Sequence, residues 1–245
     1  MAEATNGNSK RKRGGYRSPT RVHTDTLQNI LRRFGRAAGN DKQMDLLRSF
    51  GARDVFIHHS GDINFLQQKV VSVVGTREIS AVGIKRADRL SRELSSHGFV
   101  VMSGLAKGVD SVAHRAAIEA GGKTAAVIGT PLDRAYPAEN ADLQMEIYTH
   151  HLLISPFGIG ENVYRSNFPE RNRVMALLSD ATVIVEASDT SGTLHQAAEC
   201  QKNGRWLFIM KSVADDPRLS WPDKFLSQPR TMVLERSEDV FEALS

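Results

Sequence analysis

The chain has 245 residues, of which 40% are hydrophobic and 24% charged, and its formal net charge at pH 7 is +4. This length suits one main domain with an appendage, and no apolar run approaches the ~20 residues of a membrane span. With the single cysteine Cys200 an internal disulfide is excluded, and the polar first residues exclude a secretory signal, so we expect a cytoplasmic protein without membrane association.

The positive charge is concentrated at the start of the chain. Residues 1–21 hold six Lys or Arg side chains against Glu3 alone, a surplus of five, so the remaining 224 residues sum to −1. We expect residues 1–20 to be a disordered basic tail, whose composition favours nucleic acid or another anionic surface. A solubilising leader has the same composition, so the tail alone does not assign DNA binding to the rest of the chain.

Residues 21–53 are expected to form a short helical segment. Leu27, Ile30, Leu31 and Phe34 follow the i, i+3, i+4, i+7 spacing of a helix face, and the apolar residues of 44–50 predict a second short helix. The stretch DVFIHHSGD at 54–62 then predicts a strand and a turn.

From residue 70 onward, apolar strands alternate with helical patterns. Strands are predicted for VVSVVG (70–75), FVVMSG (99–104), TAAVIGT (124–130), HLLIS (151–155), ATVIVEA (181–187) and RWLFIMK (205–211). Helices are predicted over 80–97, 109–120, 139–149, 169–179 and 192–203, the first with Val82, Leu90 and Leu94 facing inward. This alternation predicts an α/β fold over residues 54–245, a doubly wound, mostly parallel sheet of extended Rossmann-like type.

In such folds a ligand lies at the carboxyl ends of the strands. The first of these loops, GTREIS, offers Gly75, Thr76 and Arg77, and the arginine suits a phosphate of a nucleotide or of a nucleic-acid backbone, or simply covers the sheet end. The next, SGLAKGVD, places Ser103, Gly104, Lys107 and Gly108 between a strand and a helix. Small residues, a helix N-terminus and a lysine suit phosphate, and they equally suit a tight turn.

Two later loops carry further candidates. Ser191, Gly192 and Thr193 open a helix, where capping is the favoured interpretation and phosphate binding the alternative. The stretch YRSNFPERNR gathers Arg165, Arg171 and Arg173 with Tyr164 and Phe168, a combination typical of single-stranded nucleic-acid binding. We expect at least one of these arginines to be structural, paired with a carboxylate such as Glu170 or Asp180.

Catalytic constellations are sparse. Asp110 and His114 are four residues apart on one helix and could pair. More often, such an aspartate caps its helix and such a histidine is hydrogen-bonded to another group. Cys200 has no partner at metal-ligand spacing. We therefore predict no catalytic residues, no metal site and no cofactor.

Taken in order, the motifs VVSVVGTREIS, SGLAKGVDSVAH, GGKTAAVIGT…YPAEN, FPERNRVMALLSDATVIVEA and SGTLHQAAE resemble the DNA-processing protein A family (DprA, also called Smf), over about residues 54–212. The resemblance implies a non-catalytic, Rossmann-like protein that binds and protects single-stranded DNA and hands it to a RecA-type recombinase in natural transformation. We expect it to form a homodimer.

The resemblance also implies roles for particular residues. It places the family's Gly-x-Arg loop on Gly75 and Arg77, its basic residue on Arg165 and its phenylalanine on Phe168. The arginines would clamp phosphates while Phe168 contacts a base or sugar, with Lys107 as a third cation.

Departures from the family pattern keep other interpretations open. Pro131 and Pro156 stand where the family usually has Gly and Glu, which fits a mobile-element or defence paralogue equally well. A nucleotide-binding sensor or a phosphoribohydrolase-like enzyme on the same fold is the alternative, since TSGTLHQAAE faintly echoes a PGGxGTxxE loop with Glu199 one place late. In a third interpretation the basic tail alone binds DNA.

Overall fold

The computed structural model describes residues 15–36 and 55–245. Within them, nine strands form one sheet in the order β1-β2-β6-β5-β4-β3-β7-β8-β9. The strands are β1 His23–Thr26, β2 Phe56–Gly61, β3 Val70–Gly75, β4 Val100–Ser103, β5 Lys123–Val127, β6 Leu152–Ser155, β7 Ala181–Glu186, β8 Trp206–Met210 and β9 Thr231–Leu234. Strands β3 to β9 are parallel, and β2 and β1 extend the sheet antiparallel beyond β6, which confirms the predicted mostly parallel α/β fold.

Helices cover both faces of the sheet. They are α1 Leu27–Arg33, α2 Ala81–Ser96, α3 Val109–Glu119, α4 Ala141–His150, α5 Asn167–Leu178, α6 Thr193–Lys202, α7 Lys211–Ala214, α8 Pro222–Leu226 and α9 Glu238–Leu244, with single 3₁₀ turns at Ile63–Gln67 and Ala138–Asn140. Helices α2 and α3 pack their apolar residues on one face, whereas α1, α5 and α6 pack on the other. Each buried aliphatic side chain contributes about 1.5–3 kcal/mol, so the two layers fix the sheet that carries the site. None of the helices in the described ranges is long and apolar enough to cross a bilayer.

Helix α2 begins where the sequence predicts and buries a slightly different face. The Ser80 hydroxyl caps it by accepting the Gly83 N–H at 2.9 Å. Leu90 and Leu94 are buried as predicted, but Val82 is 53% exposed. The buried stripe runs through residues 83, 87, 90 and 94, and Val82 lies about 100° off this stripe.

The described part of the predicted helical segment is only partly helical. Residues 23–26, predicted as helix, form strand β1 and pair with β2, and α1 begins after Thr26, whose hydroxyl accepts the Asn29 N–H at 3.2 Å. Leu27, Ile30 and Leu31 are buried, as the spacing predicts. The predicted second helix at 44–50 and most of the predicted tail lie outside the described residues. At the other end, strand β9 was not predicted, because it is short and partly exposed.

Acid should destabilise this fold, because burial lowers the pKa of His114 to about 3 and that of His59 to about 4. The Thr124 hydroxyl donates to the Val101 carbonyl and therefore accepts from His114 Nδ1–H at 2.6 Å, while Nε2 has no partner. The unfolded chain takes up these protons below pH ~6.5, so stability present at neutral pH is lost as the pH falls.

For His114 alone the free energy of unfolding should drop by about 2–3 kcal/mol between pH 7 and pH 4.5. Urea unfolding at both pH values measures this loss. A His114→Gln variant should lose less than wild type over the same interval, and His150→Gln, at an exposed position, is the control. Equal losses in wild type and His114→Gln would contradict the assignment.

Candidate functional site

The loops that follow β3, β4, β5 and β7 meet at the carboxyl edge of the sheet. A cavity of about 320 Å³ opens there, between the end of β3, the start of α5 and the loop before α6. It brings together eight of the predicted residues, Gly75, Thr76, Arg77, Phe168, Arg171, Ser191, Gly192 and Thr193. Six others do not line it, namely Ser103, Gly104, Lys107, Gly108, Arg165 and Arg173.

Arg77 stands on a loop whose backbone is held from two sides. The Thr76 N–H donates to the Glu186 carbonyl of β7 at 2.7 Å, and the Glu78 N–H donates to the Thr76 hydroxyl at 3.1 Å. On the other side Gly108 has φ +75°, and a Cβ at this position would lie 2.8 Å from the Arg77 carbonyl oxygen. The exposed Arg77 side chain is thus carried by a loop that is held on two sides, and this close packing requires a glycine at position 108.

A guanidinium and two aromatic rings lie in contact beside the cavity. They belong to Arg77, Phe168 and Tyr136 and are called the aromatic row below. Arg77 Cζ lies 5.8 Å from the centre of the Phe168 ring, and the centres of the Phe168 and Tyr136 rings are 5.5 Å apart. Phe168 fits here because Gly129 has no side chain; a Cβ there would lie 2.8 Å from the ring. Tyr136 is 49% exposed, so the row combines a guanidinium with an open aromatic face.

Sequence reasoning did not select Tyr136 as a site residue. Aromatic residues were sought among the arginines of 164–173, whereas Tyr136 lies in the loop between β5 and α4. The available signal was its place in a loop at the carboxyl end of a strand, where ligand contacts concentrate.

Arg165 lies one turn before Phe168, and its carbonyl accepts the Phe168 N–H at 3.4 Å. Its side chain is exposed, and so is that of neighbouring Tyr164, at 61%. Across residues 15–36 and 55–245, neither Arg165 nor Arg77 forms an ion pair with a carboxylate. Both guanidiniums are therefore open to an anionic ligand.

Arg171 is buried and bonded to backbone carbonyls, so it has a structural role, and contact with DNA stays a prediction for this residue. Its side chain is 6% exposed, and Nη1 donates to the carbonyls of Gly104 and Val127 at 2.5 and 2.7 Å. The guanidinium occupies the space that a side chain at Gly104 would need. Burial raises the pKa of Asp110 and lowers the pKa of Arg171, and each charge opposes the shift of the other. Arg171 thus joins α5 to the ends of β4 and β5.

The loop between β4 and α3 is a tight turn whose polar groups bond within the protein. The buried Ser103 hydroxyl donates to the Val73 carbonyl at 2.7 Å. The Asp110 carboxylate accepts the N–H groups of Gly104 and Ala106 at 3.2 and 3.3 Å. The Ser103 hydroxyl and the Gly104 amide are therefore engaged within the protein, and phosphate binding by these two residues stays a prediction.

Two further predicted cations have carboxylate partners. Lys107 pairs with Glu139, and Arg173 Nε lies 3.6 Å from Glu199 Oε1. Both cations are partly exposed, so pairing reduces their charge toward a ligand without removing it. Glu199 also pairs with Lys202 at 2.9 Å and is buried, which places it in an ion-pair cluster rather than at a reaction site.

Neither carboxylate that the sequence suggested as a partner forms the expected pair. Asp180 bonds Arg36 at 2.9 Å, at the opposite edge of the sheet. Burial raises the pKa of Glu170, against the opposing effect of Arg173. The spacing of residues in the 164–173 motif therefore did not predict the carboxylate partners of its arginines.

The two hydroxyls of the loop before α6 bond within the loop, while the N-cap position is Gly192 and makes no side-chain cap. Ser191 Oγ accepts the Thr193 N–H at 3.2 Å and donates to the Thr193 hydroxyl at 2.9 Å. Gly192 between them is exposed at the cavity rim. Both hydroxyls are thus engaged with one another and hold the start of the helix.

The two residues that the sequence suggested as a catalytic pair are each hydrogen-bonded to other groups. Asp110 binds loop amides and His114 donates to Thr124, so the two do not pair. In the described part of the chain, no three His, Cys, Asp or Glu side chains come together as a metal site.

Known proteins are similar to this chain in sequence and in fold. The family model of DNA recombination-mediator protein A matches residues 40–245. DNA processing protein DprA of Streptococcus pneumoniae is 40% identical over 156 residues, which are 64% of this chain and 55% of that protein, so the chain spans about half the length of this relative. The solved structure of the Streptococcus pneumoniae protein has a TM-score of 0.70 and 36% identity, covering 76% of this chain and 65% of that one.

A second solved structure is similar in fold. It is DNA processing protein A from Helicobacter pylori, described for its single-stranded DNA binding mode. Its TM-score is 0.73 at 24% identity, and the match covers 90% of this chain and 95% of that one.

Replacing Arg171 with methionine should destabilise the protein by about 3–5 kcal/mol, because it leaves Asp110 buried without its opposite charge. The matched variant Arg77→Met, on the exposed rim, should change the free energy of unfolding by no more than about 0.5 kcal/mol. Urea denaturation measures both. Equal effects would contradict the division into a buried structural and an exposed arginine.

Proposed function

The chain belongs to the DNA recombination-mediator protein A family, and from that premise we propose that it binds single-stranded DNA at the carboxyl edge of its sheet. The observation that carries the proposal is the aromatic row of Arg77, Phe168 and Tyr136, with exposed Arg165 one turn away. Guanidiniums neutralise phosphates, and aromatic faces stack on unpaired bases. Arg77 and the two rings are neighbours in the structure, so both kinds of group are available at one place.

Each residue of the row has its own role in this proposal. Arg77 holds a backbone phosphate, and its rigid loop keeps the guanidinium in place without a ligand. Arg165 holds a further phosphate. Phe168 lies near both Arg77 and Tyr136 and is half-buried, so its exposed part contacts a base or sugar, and the exposed Tyr136 ring stacks on a base.

The same groups favour a single strand over a duplex. Bases within a duplex are already stacked on one another, so an exposed ring gains contact only with an unpaired base. The chain beyond residue 21 has a net charge of −1, and its affinity for DNA must come from the local arrangement of cations at this rim. Binding should therefore depend on these few cations and weaken as the salt concentration rises, with a slope set by the number of phosphate contacts.

We extend the proposal to the steps after binding. The protein protects the strand and hands it to a RecA-type recombinase, acts as a homodimer in the cytoplasm, and catalyses no reaction itself, in DNA uptake and recombination or in a mobile-element or defence role. A recombinase filament-assembly assay on the bound strand tests the hand-over, and light scattering on the purified protein tests the dimer.

A nucleotide-binding sensor or hydrolase remains the competing proposal, because the cavity of about 320 Å³ is large enough for part of a nucleotide. The pairing of Glu199 with Lys202 and Arg173 argues against a catalytic role for that carboxylate. Thermal unfolding in the presence of each ligand separates the proposals. A large shift with a mononucleotide and none with an oligonucleotide would favour the sensor.

Arg77→Ala and Arg165→Ala should each weaken binding of a fluorescent oligothymidine. Each removes one phosphate contact, so the slope of log K against log salt should become shallower by about 0.7. Fluorescence anisotropy across a salt series measures both quantities. Arg115→Ala, at an exposed position of α3 that does not line the cavity, is the matched control. If both variants bind like wild type, DNA binds elsewhere.

Tyr136→Leu should weaken the same binding by about 1–3 kcal/mol, because leucine keeps apolar bulk but has no π-face for a base. Tyr136→Phe, which keeps the ring, should bind nearly as wild type. The anisotropy titration checks both variants side by side. Wild-type affinity in Tyr136→Leu would remove stacking from the proposal.

A further inference from the structure

Residues 15–22 form a strap that packs against helix α4 and the loop before it. Val22 packs on the buried apolar cluster that includes Leu132 of this loop. The Tyr148 hydroxyl of α4 donates to the Arg17 carbonyl at 2.8 Å. Apolar packing and a hydrogen bond therefore join the strap to the helix.

One residue of the strap bonds the loop between β5 and α4. The Tyr16 hydroxyl donates to the Leu132 carbonyl at 2.6 Å and accepts from the Gln144 amide at 2.8 Å. The same amide nitrogen donates to the Arg134 carbonyl at 3.1 Å. Leu132 and Gln144 are both buried, so the loss of the Tyr16 hydroxyl would take a partner from a buried acceptor and from a buried donor.

The loop that Tyr16 holds also carries Tyr136. Two residues before Tyr136, the Arg134 carbonyl accepts from the Gln144 amide that Tyr16 engages. Four residues after it, the Asn140 side-chain amide donates to a carbonyl of the β4–α3 loop at 2.9 Å. The backbone that carries Tyr136 is thus tied on both sides, and Tyr16 belongs to the first tie.

The Tyr136 ring depends on this backbone for its position. The residue is 49% exposed, and its ring packs on Phe168 with centres 5.5 Å apart. A side chain that lies half in water is held less firmly by packing than a buried one, so the order of its loop decides where the ring stands. A loop that is ordered before the ligand arrives loses less conformational entropy on binding.

We propose that Tyr16 is a positioning residue for single-stranded DNA, which holds the β5–α4 loop so that the Tyr136 ring stands ready for a base. The inference rests on the proposed function, because it requires Tyr136 to stack on DNA. Tyr16 acts through Leu132 and Gln144 and contacts no DNA itself. It therefore contributes to affinity without contributing to the salt dependence.

Tyr16→Phe removes the hydroxyl and keeps the ring that meets Tyr148 edge to face. It should weaken binding of a fluorescent oligothymidine about 2- to 30-fold, the range for residues that act on a site without touching its ligand. The slope of log K against log salt should stay as in wild type, because no phosphate contact is lost. Fluorescence anisotropy across a salt series measures both quantities.

Tyr148→Phe is the matched control for this variant. It removes a hydroxyl that bonds the strap at Arg17 but does not bond the loop, so its affinity for the oligothymidine should equal that of wild type. Wild-type affinity in Tyr16→Phe, or equal weakening in the two variants, would overturn the inference.

A double-mutant cycle separates positioning of Tyr136 from a general loss of structure. In a Tyr136→Leu background, Tyr16→Phe should change the affinity by no more than about twofold, the ordinary error of additivity. In an Arg77→Ala background it should have its full effect, because Arg77 lies on the loop after β3. A loss of folded protein would lower the affinity equally in both backgrounds, and that result would overturn the inference.

A spectroscopic measurement on the free protein tests the position of the ring. A fluorinated tyrosine at position 136 gives a single ¹⁹F resonance that depends on the surroundings of this ring. The resonance should shift or broaden in Tyr16→Phe and stay in place in Tyr148→Phe. An unchanged resonance in Tyr16→Phe would contradict a role in holding Tyr136.

The same variants distinguish failure of this inference from failure of the proposed function. If Arg77→Ala and Tyr136→Leu both bind like wild type, DNA does not bind at this rim and both proposals fail. If these two variants weaken binding and Tyr16→Phe does not, the proposed function stands and the inference alone fails.

Discussion

A buried guanidinium holds the carboxyl edge of the sheet together. Arg171 bonds the carbonyls that end β4 and β5, and Asp110 of the same charge pair binds the amides of the following loop. Phe168 lies one turn earlier on the helix that carries Arg171, and Arg77 packs against Gly108 at the end of the same loop. The exposed groups of the rim therefore take their positions from buried charges.

The fold was largely predictable because apolar strands between helices have a distinct pattern. Helix α3 was predicted over 109–120 and spans Val109–Glu119, and the central strands agree similarly. The two strands at the edges of the sheet were harder to predict. Strands β1 and β9 have four residues each and lie partly exposed, so neither periodicity nor apolar run length marks them. Val82 was misassigned because a single apolar residue does not define a helix face.

Within the site, sequence identified the loops but not the directions of their side chains. Arg77 and Arg171 are equally plausible phosphate ligands in a sequence, and only burial separates them. The composition of residues 103–110 suits an anion site and also a turn filled by its own Asp110, which hydrogen bonds alone distinguish. Tyr136 joins Phe168 through packing between loops distant in sequence, which no local motif records.

The shortness of the two edge strands bears on how copies of this chain can associate. An open sheet edge invites a second chain to add its own strand, and long edges of this kind promote aggregation. Here β1 and β9 each offer only four residues, and β1 has the polar sequence HTDT. Strand addition at β1 or β9 would therefore gain few backbone hydrogen bonds.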